Sequence, residues 1–117
     1  MDAESLREYC LSKKGVEECL PFDEETLVFK VMGKMFLLTN LDGDPAISIK
    51  VEPDKGVEMR GMYPSVQPAY HMNKLHWVMV ALDGSISDKE IAGWIDASYD
   101  LVVSGLTRKQ RQELSGD

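Results

Sequence analysis

Apolar and polar residues alternate with the period of a β-strand through the middle of the chain. The clearest case is the stretch 46–51, in which polar residues separate Ile47, Ile49 and Val51. Two further apolar runs, at residues 27–32 and 35–39, flank Gly33-Lys34, a pair that fits a two-residue hairpin turn with glycine first. Residues 42–45 are a strong turn signal before the third run. Strands joined this tightly predict an antiparallel meander.

Helix signals lie towards both ends of the chain. Asp2 is a good N-cap for a first helix that ends before Gly15. Capping boxes at residues 87–90 and 107–110 predict a helix over residues 88–104 and a short terminal helix. Residues 54–62 fit another short helix. Residues 76–82, apolar on both faces, predict a returning inner strand.

These elements predict a single α+β domain over residues 1–117. Its antiparallel sheet, a meander plus a returning strand, should have about five strands and be packed by the N- and C-terminal helices. The expected core contains Phe29, Phe36, Ile49, Trp77, Val78, Val80, Trp94, Ile95 and Val102.

Composition narrows the classes of function. No apolar run approaches the ~20 residues of a membrane span, and the acidic N-terminus has no signal-peptide pattern, so we expect a cytoplasmic protein without a membrane partner. In that compartment Cys10 and Cys19 are expected to be free thiols. A net charge of −7 argues against non-specific nucleic-acid binding. The strand-rich residues 27–82, with 6 basic and 5 acidic groups, are the least acidic part.

The densest polar chemistry precedes the last strand, in residues 68–77. Its two histidines could act as acid–base groups near neutral pH, or could simply fix the loop and the strand edge. Neither has a third metal ligand nearby in sequence, so we expect no metal site and no cofactor. Strand lysines could converge with this segment on an anion or nucleic-acid backbone, or could extend into solvent from the sheet edges. The candidate ligand-binding residues are Lys30, Lys50, Arg60, Tyr70, His71, Lys74 and His76. The methionines fit core filling, or a Met-rich peptide groove.

Several segments together resemble one family, the MmcQ/YjbR-like family of small bacterial proteins. The most specific is Tyr70-His71-Met72-Asn73-Lys74 with His76-Trp77. Others are Pro21-Phe22, Phe29-Lys30-Val31, Gly33-Lys34-Met35-Phe36, Lys50 with Pro53, and Ser98-Tyr99. The resemblance implies a compact α+β fold similar to that of secretion-chaperone-like proteins. It also implies a DNA-binding role, since some relatives are described as DNA-binding proteins whose β-hairpins act as wings.

Three functions follow as hypotheses. The first is a small non-enzymatic module that binds nucleic acid through its β-hairpins. The alternative is a protein- or peptide-binding, chaperone-like module, whose acidic ends would suit a basic partner. An enzyme using His71, Lys74 and His76 has the weakest support, because no nucleophile–base pair is recognisable.

Overall fold

A computed structural model of the chain describes residues 1–69 and 72–116. Its four helices are α1 (Ala3–Leu11), α2 (Pro53–Met62), α3 (Asp88–Ser104) and α4 (Arg108–Ser115). Its six strands are β1 (Val16–Cys19), β2 (Thr26–Val31), β3 (Lys34–Asn40), β4 (Ala46–Lys50), β5 (Val66–Pro68) and β6 (Trp77–Ala81). The strands form one antiparallel sheet in the order β1-β2-β3-β4-β6-β5. The predicted α+β class, meander and returning inner strand are confirmed, with one strand more than expected.

The hairpin between β2 and β3 turns one residue earlier than its sequence predicts. Val31 pairs with Lys34, so the two turn residues are Met32 and Gly33, with φ of 51° and 79°. Two positive φ angles match the twist of the flanking strands, whereas a turn with glycine first would need only one. Gly33 therefore lies in the turn, but at its second position and not at its first, because Met32 adopts the left-handed conformation before it.

The helix caps largely follow the sequence. Thr107 and Gln110 form the predicted reciprocal capping box of α4. At α3 only half of the predicted box forms, since Ser87 accepts the N–H of Glu90 while the Glu90 carboxylate accepts the hydroxyl of Tyr63 at 3.2 Å.

One face of the sheet carries the main core, and we call it the covered face. Its strand residues include Phe29, Leu37, Ile49 and Val78, all inaccessible to solvent. The buried apolar residues of α1, α2 and α3 join the same cluster, which places these helices over this face. All nine predicted core residues are buried, but Trp77 lies outside this cluster.

A hydroxyl group joins α3 to the sheet where the ladder is interrupted. A bulge places Phe36 as an extra residue on β3, beyond the last β3–β4 pair at Leu37 and Ile49. Ser98 of α3 fills the gap: its Oγ accepts the Lys50 N–H at 2.9 Å and donates to the Phe36 carbonyl at 2.6 Å. The serine therefore satisfies two strand backbone groups that would otherwise lack a partner.

Candidate functional site: the open face of the sheet

The second face of the sheet, which we call the open face, is formed by the alternate residues of each strand. Strand pairing aligns one residue from every strand in a single row across it. That row reads Cys19, Val28, Leu38, Ser48, Met79 and Gln67. An antiparallel sheet can leave one face to water, but such a face is then usually polar. Here apolar side chains remain in the row although α1, α2 and α3 pack on the other side.

A groove of about 600 Å³ lies on the open face. Its floor comes from β2, β3, β4 and β6, and its walls come from the β1–β2 loop and from Ala69 and Met72. It is lined by Phe22, Asp23, Thr26, Leu38, Thr39, Asn40, Ala46, Ser48, Ala69, Met72 and Met79. The volume is within the range of ligand-binding clefts in proteins.

The β1–β2 loop is held in place by the carboxylate of Asp23. It accepts the backbone N–H groups of Glu25 and Thr26 at 2.8 and 2.7 Å, and these hydrogen bonds lower the pKa of Asp23. The Glu25 carbonyl in turn accepts the N–H of Leu41 at 2.6 Å, which ties this loop to the β3–β4 loop. Hydrogen bonds therefore fix the conformation of this wall of the groove.

The two linked loops give the groove an acidic and apolar rim. Phe22 is 63% exposed and Leu41 is 53% exposed, and Leu20 is exposed beside them in sequence. The same two loops carry the carboxylates of Asp23, Glu24, Glu25, Asp42 and Asp44. Large exposed apolar side chains beside several like charges are typical of a surface that meets a partner.

Two of the predicted ligand-binding lysines lie on the open face, one row beyond the groove. Lys30 pairs with Met35, and Lys50 pairs with Trp77, whose side chain is only 8% exposed. The lysines stand on strands separated by β3, so their Cα atoms are about 10 Å apart. Within the described residues, neither ammonium group forms a hydrogen bond or an ion pair.

The other predicted site residues do not all join these lysines. Arg60 stands on α2, over the covered face, and its guanidinium lies near Gly56 of the same helix. Lys74 and His76 are exposed in the turn before β6, and the His76 carbonyl accepts the Val51 N–H at 2.8 Å, which places this turn near the Lys50 end of the sheet. Tyr70 and His71 lie outside the described residues. The anion site stays a prediction.

The groove itself was missed by reasoning on charged and aromatic residues. Its available signal was the methionines, since Met72 and Met79 line it while Met59 belongs to the core. Strand alternation in β3 also placed Leu38 opposite to Leu37, but the sequence could not tell which face the helices would leave uncovered.

Within residues 1–69 and 72–116, no three His, Cys, Asp or Glu side chains are grouped to hold a metal ion. No described helix is long and apolar enough to cross a membrane.

Comparison with known proteins gives consistent matches. The YjbR family model matches residues 11–101. The uncharacterized protein YbdF of Escherichia coli O157:H7 is 40% identical, over 97% of this chain and 98% of its own. The uncharacterized protein YjbR of Escherichia coli K12 is 34% identical over the same shares of the two chains.

Solved structures match as well. The crystal structure of Deinococcus radiodurans protein DR2400, with a DUF419 domain, superposes with a TM-score of 0.89 at 42% identity, over 96% of this chain and 86% of that one. A crystal structure of a Pseudomonas syringae protein gives a TM-score of 0.76 at 28% identity, over 86% of this chain and 98% of the other.

Proposed function

This chain belongs to the YjbR family, as its residues predicted, and we propose that it is a small non-enzymatic module that binds a peptide segment of a partner protein. The observation that supports this most is the groove on the open face, with the exposed side chain of Phe22 at its rim. The proposed location is the cytoplasm, in keeping with the free thiols of Cys10 and Cys19.

Leu38 and Met79 on the open face support the proposal because the fold leaves both side chains partly exposed. Each therefore contributes less to stability than an equivalent side chain on the covered face. A peptide laid over them would remove their exposed apolar surface from water. The peptide would not have to pair with an edge strand of the sheet. The side chains of Thr26, Asn40 and Ser48 line the groove and offer hydrogen-bond partners there.

The charge of the rim specifies the segment further. Asp23 lines the groove and the neighbouring loop positions are acidic, so a bound segment should place Lys or Arg at this end. Its apolar side chains should enter the groove between Leu38 and Met79. The preferred ligand is therefore a short apolar segment with a basic end.

Fluorescence anisotropy with defined labelled peptides tests this proposal. We expect peptides of about ten residues with an apolar centre and a Lys/Arg end to bind, and the same peptides with Glu in place of Lys/Arg to bind at least about tenfold more weakly. Phe22→Ala should weaken binding by about tenfold, as for an aromatic anchor at an interface. Val57→Ala is the matched control, because Val57 is 60% exposed on α2, away from the groove. Equal affinities for Phe22→Ala and the unaltered protein would reject the groove as the site.

Nucleic-acid binding through the β-hairpins is the second candidate. It is supported by Lys34 next to the β2–β3 turn and by Lys30 and Lys50, whose ammonium groups have no ion-pair partner in the part of the chain that the structure describes. The acidic β1–β2 and β3–β4 loops weigh against it, because they would repel phosphates. Anisotropy titrations with labelled duplex and single-stranded DNA at several salt concentrations decide this. Binding that falls steeply with salt and is lost in Lys34→Glu would favour it, and no binding at low salt would exclude it.

A further inference from the structure

The tripeptide Leu-Asp-Gly occurs twice in the chain, and the structure places both copies in surface loops. Residues 41–43 lie in the β3–β4 loop, and residues 82–84 lie in the loop between β6 and α3. Both aspartates and both glycines are exposed, and the φ angles of Gly43 and Gly84 are 81° and 85°. A Cβ built on either glycine would meet nothing within 4 Å. The two copies therefore match in sequence, exposure and glycine conformation.

The two aspartates differ in what their carboxylates contact. The Asp42 carboxylate accepts a hydrogen bond from the N–H of the next residue, Gly43, at 3.0 Å, and has no other partner within residues 1–69 and 72–116. The Asp83 carboxylate instead accepts the N–H and the hydroxyl of Ser85, at 2.9 and 2.6 Å, and the hydroxyl of Ser65 at 3.0 Å. Asp83 is therefore held by two serines, whereas Asp42 contacts only the amide that follows it.

We propose that Asp42 is a site of spontaneous isoaspartate formation and that Asp83 is protected from the same reaction. The backbone nitrogen of Gly43 attacks the side-chain carboxyl carbon of Asp42. A C–N bond forms, the carboxyl C–OH bond breaks, and the OH leaves with the amide proton as water, which gives a cyclic succinimide. Water then adds to the main-chain carbonyl carbon of Asp42, and its bond to the nitrogen breaks. The main chain now runs through the former side chain and is one methylene longer, with no net change in composition.

The geometry around Asp42 supplies what the ring closure needs. The attacking nitrogen already lies beside the carboxyl group, 3.0 Å from Asp42 Oδ1. Gly43 has no Cβ to hinder the approach, and both residues are exposed to the water that opens the ring. At Asp83, ring closure has to break hydrogen bonds to a charged group. The hydrogen bonds from Ser85, and then from Ser65, also lower the pKa of Asp83, so less of it is in the neutral form that is attacked.

Peptide mapping of the folded protein after prolonged incubation in warm, mildly acidic buffer measures both sites at once. Trypsin releases residues 35–50, which contain Asp42, and residues 75–89, which contain Asp83. An isoaspartyl peptide keeps the mass of its parent, elutes apart from it in reversed-phase chromatography, and resists the protease Asp-N at that residue. Deamidation of Asn40 is distinguished because it changes the mass. We expect isoaspartate to accumulate at least about fivefold faster at position 42 than at position 83. Equal rates in the folded protein would overturn the proposal.

The same chain denatured in guanidinium chloride shows whether the fold causes the difference. Denaturation removes the contacts of Asp83 with the serines, so the two Leu-Asp-Gly copies should then react at similar rates. If the denatured chain kept the ratio seen in the folded protein, the neighbouring sequence would set the rates and the protection of Asp83 would be refuted.

Two variants test the assigned contacts in the folded protein. Combined Ser65→Ala and Ser85→Ala removes the hydroxyl groups that hold Asp83, and should raise its rate towards that of Asp42. Asp42→Glu should stop the reaction at position 42 and leave Asp83 unchanged, because the longer side chain closes a larger ring much less readily. An unchanged rate at Asp83 in the double serine variant would show that these hydrogen bonds give no protection.

Isoaspartate at position 42 also alters the rim of the groove, a consequence that rests on the proposed function while the modification itself does not. The neighbouring Leu41 N–H donates to the Glu25 carbonyl at 2.6 Å, and a longer main chain next to it displaces this link. Prolonged incubation should therefore lower the peptide affinity of the unaltered protein but not that of Asp42→Glu, each compared with its own value before incubation. Equal losses in the two proteins would refute this consequence, whereas the peptide maps decide the modification separately.

Discussion

The two faces of the sheet are built from the same strands yet differ in what their apolar residues do. On the covered face, Leu37, Ile49 and Val78 are inaccessible and pack against the helices. On the open face, Leu38 and Met79 remain partly exposed and line a groove. Alternation along a strand sends neighbouring residues to opposite faces, so one short sequence serves both surfaces. The covered face therefore carries the main core, and under the proposed function the partly exposed side chains of the open face contact a ligand.

Two adjacent leucines separate these roles most directly. Leu37→Ala removes a side chain with no solvent exposure and should lower the free energy of unfolding by about 2–5 kcal/mol. Leu38→Ala removes a partly exposed one and should cost about 1 kcal/mol or less, while weakening peptide binding. Urea denaturation measures the first effect and peptide anisotropy the second. Equal losses of stability in the two variants would remove the distinction between the faces.

The hydroxyl of Ser98 stabilises the covered face through hydrogen bonds to the backbone of β3 and β4. Ser98→Ala leaves the Phe36 carbonyl and the Lys50 N–H without a partner in a buried position, and should destabilise the protein by about 2–4 kcal/mol in urea denaturation. Ser104→Ala is the control on the same helix, since its exposed hydroxyl only returns to the Leu101 carbonyl. If the two variants were equally stable, the bridge between β3 and β4 would contribute nothing.

The sequence predicted the elements of the covered face well because their signals are local. The bounds of α3 follow from Ser87 at its start and Gly105 after its end, and the strands of the meander follow from alternation. The short edge strand β5 was not predicted, because three residues that contain Pro68 provide almost no periodic signal. Its existence depends on pairing with β6, a partner that lies beyond the intervening loop.

The candidate site was much less predictable, because it depends on where the helices pack. Trp77 was correctly predicted to be buried, yet its burial lies outside the main core, next to Lys50. Strand register places Lys30 and Lys50 on one face of the sheet, whereas the face occupied by Arg60 is set by how α2 docks. Ser98 forms its hydrogen bonds to the ladder only because the bulge at Phe36 leaves a gap between β3 and β4, and the sequence carries no local signal for that bulge.

Tyr9, Lys13 and Asp96 form a polar clamp between α1 and α3, and we expect its contribution to stability to depend on pH. The Asp96 carboxylate of α3 accepts hydrogen bonds from the Tyr9 hydroxyl of α1, at 2.6 Å, and from the Lys13 ammonium. The hydrogen bond from Tyr9, together with burial, raises the pKa of Tyr9 to about 12. A raised pKa means that the stabilisation is complete below pH ~10 and is lost as the pH rises towards 12. The difference in unfolding free energy between the unaltered protein and Tyr9→Phe should therefore be constant up to pH ~10 and shrink above it.

Urea denaturation at a series of pH values measures this difference. Subtracting the Tyr9→Phe values removes the contribution of ionisable groups that contact neither Tyr9 nor Asp96. The open face should not respond, because none of its groove residues takes part in the clamp. A difference that stayed constant from pH 8 to 12 would mean that the clamp adds no pH-dependent stability.

The two cysteines allow the accessibility of the two faces to be compared by thiol labelling. Cys10 lies in the core with no solvent exposure, and burial raises the pKa of its thiol to about 12, whereas Cys19 is partly exposed in the open-face row. Since the thiolate is the reactive form, a disulfide reagent at pH 8 should modify Cys19 quickly and Cys10 only as fast as the core opens. Native protein should thus show one fast thiol per chain, denatured protein two, and native Cys19→Ser none. Fast labelling of native Cys19→Ser would mean that Cys10 is accessible and that the covered face is not closed as described.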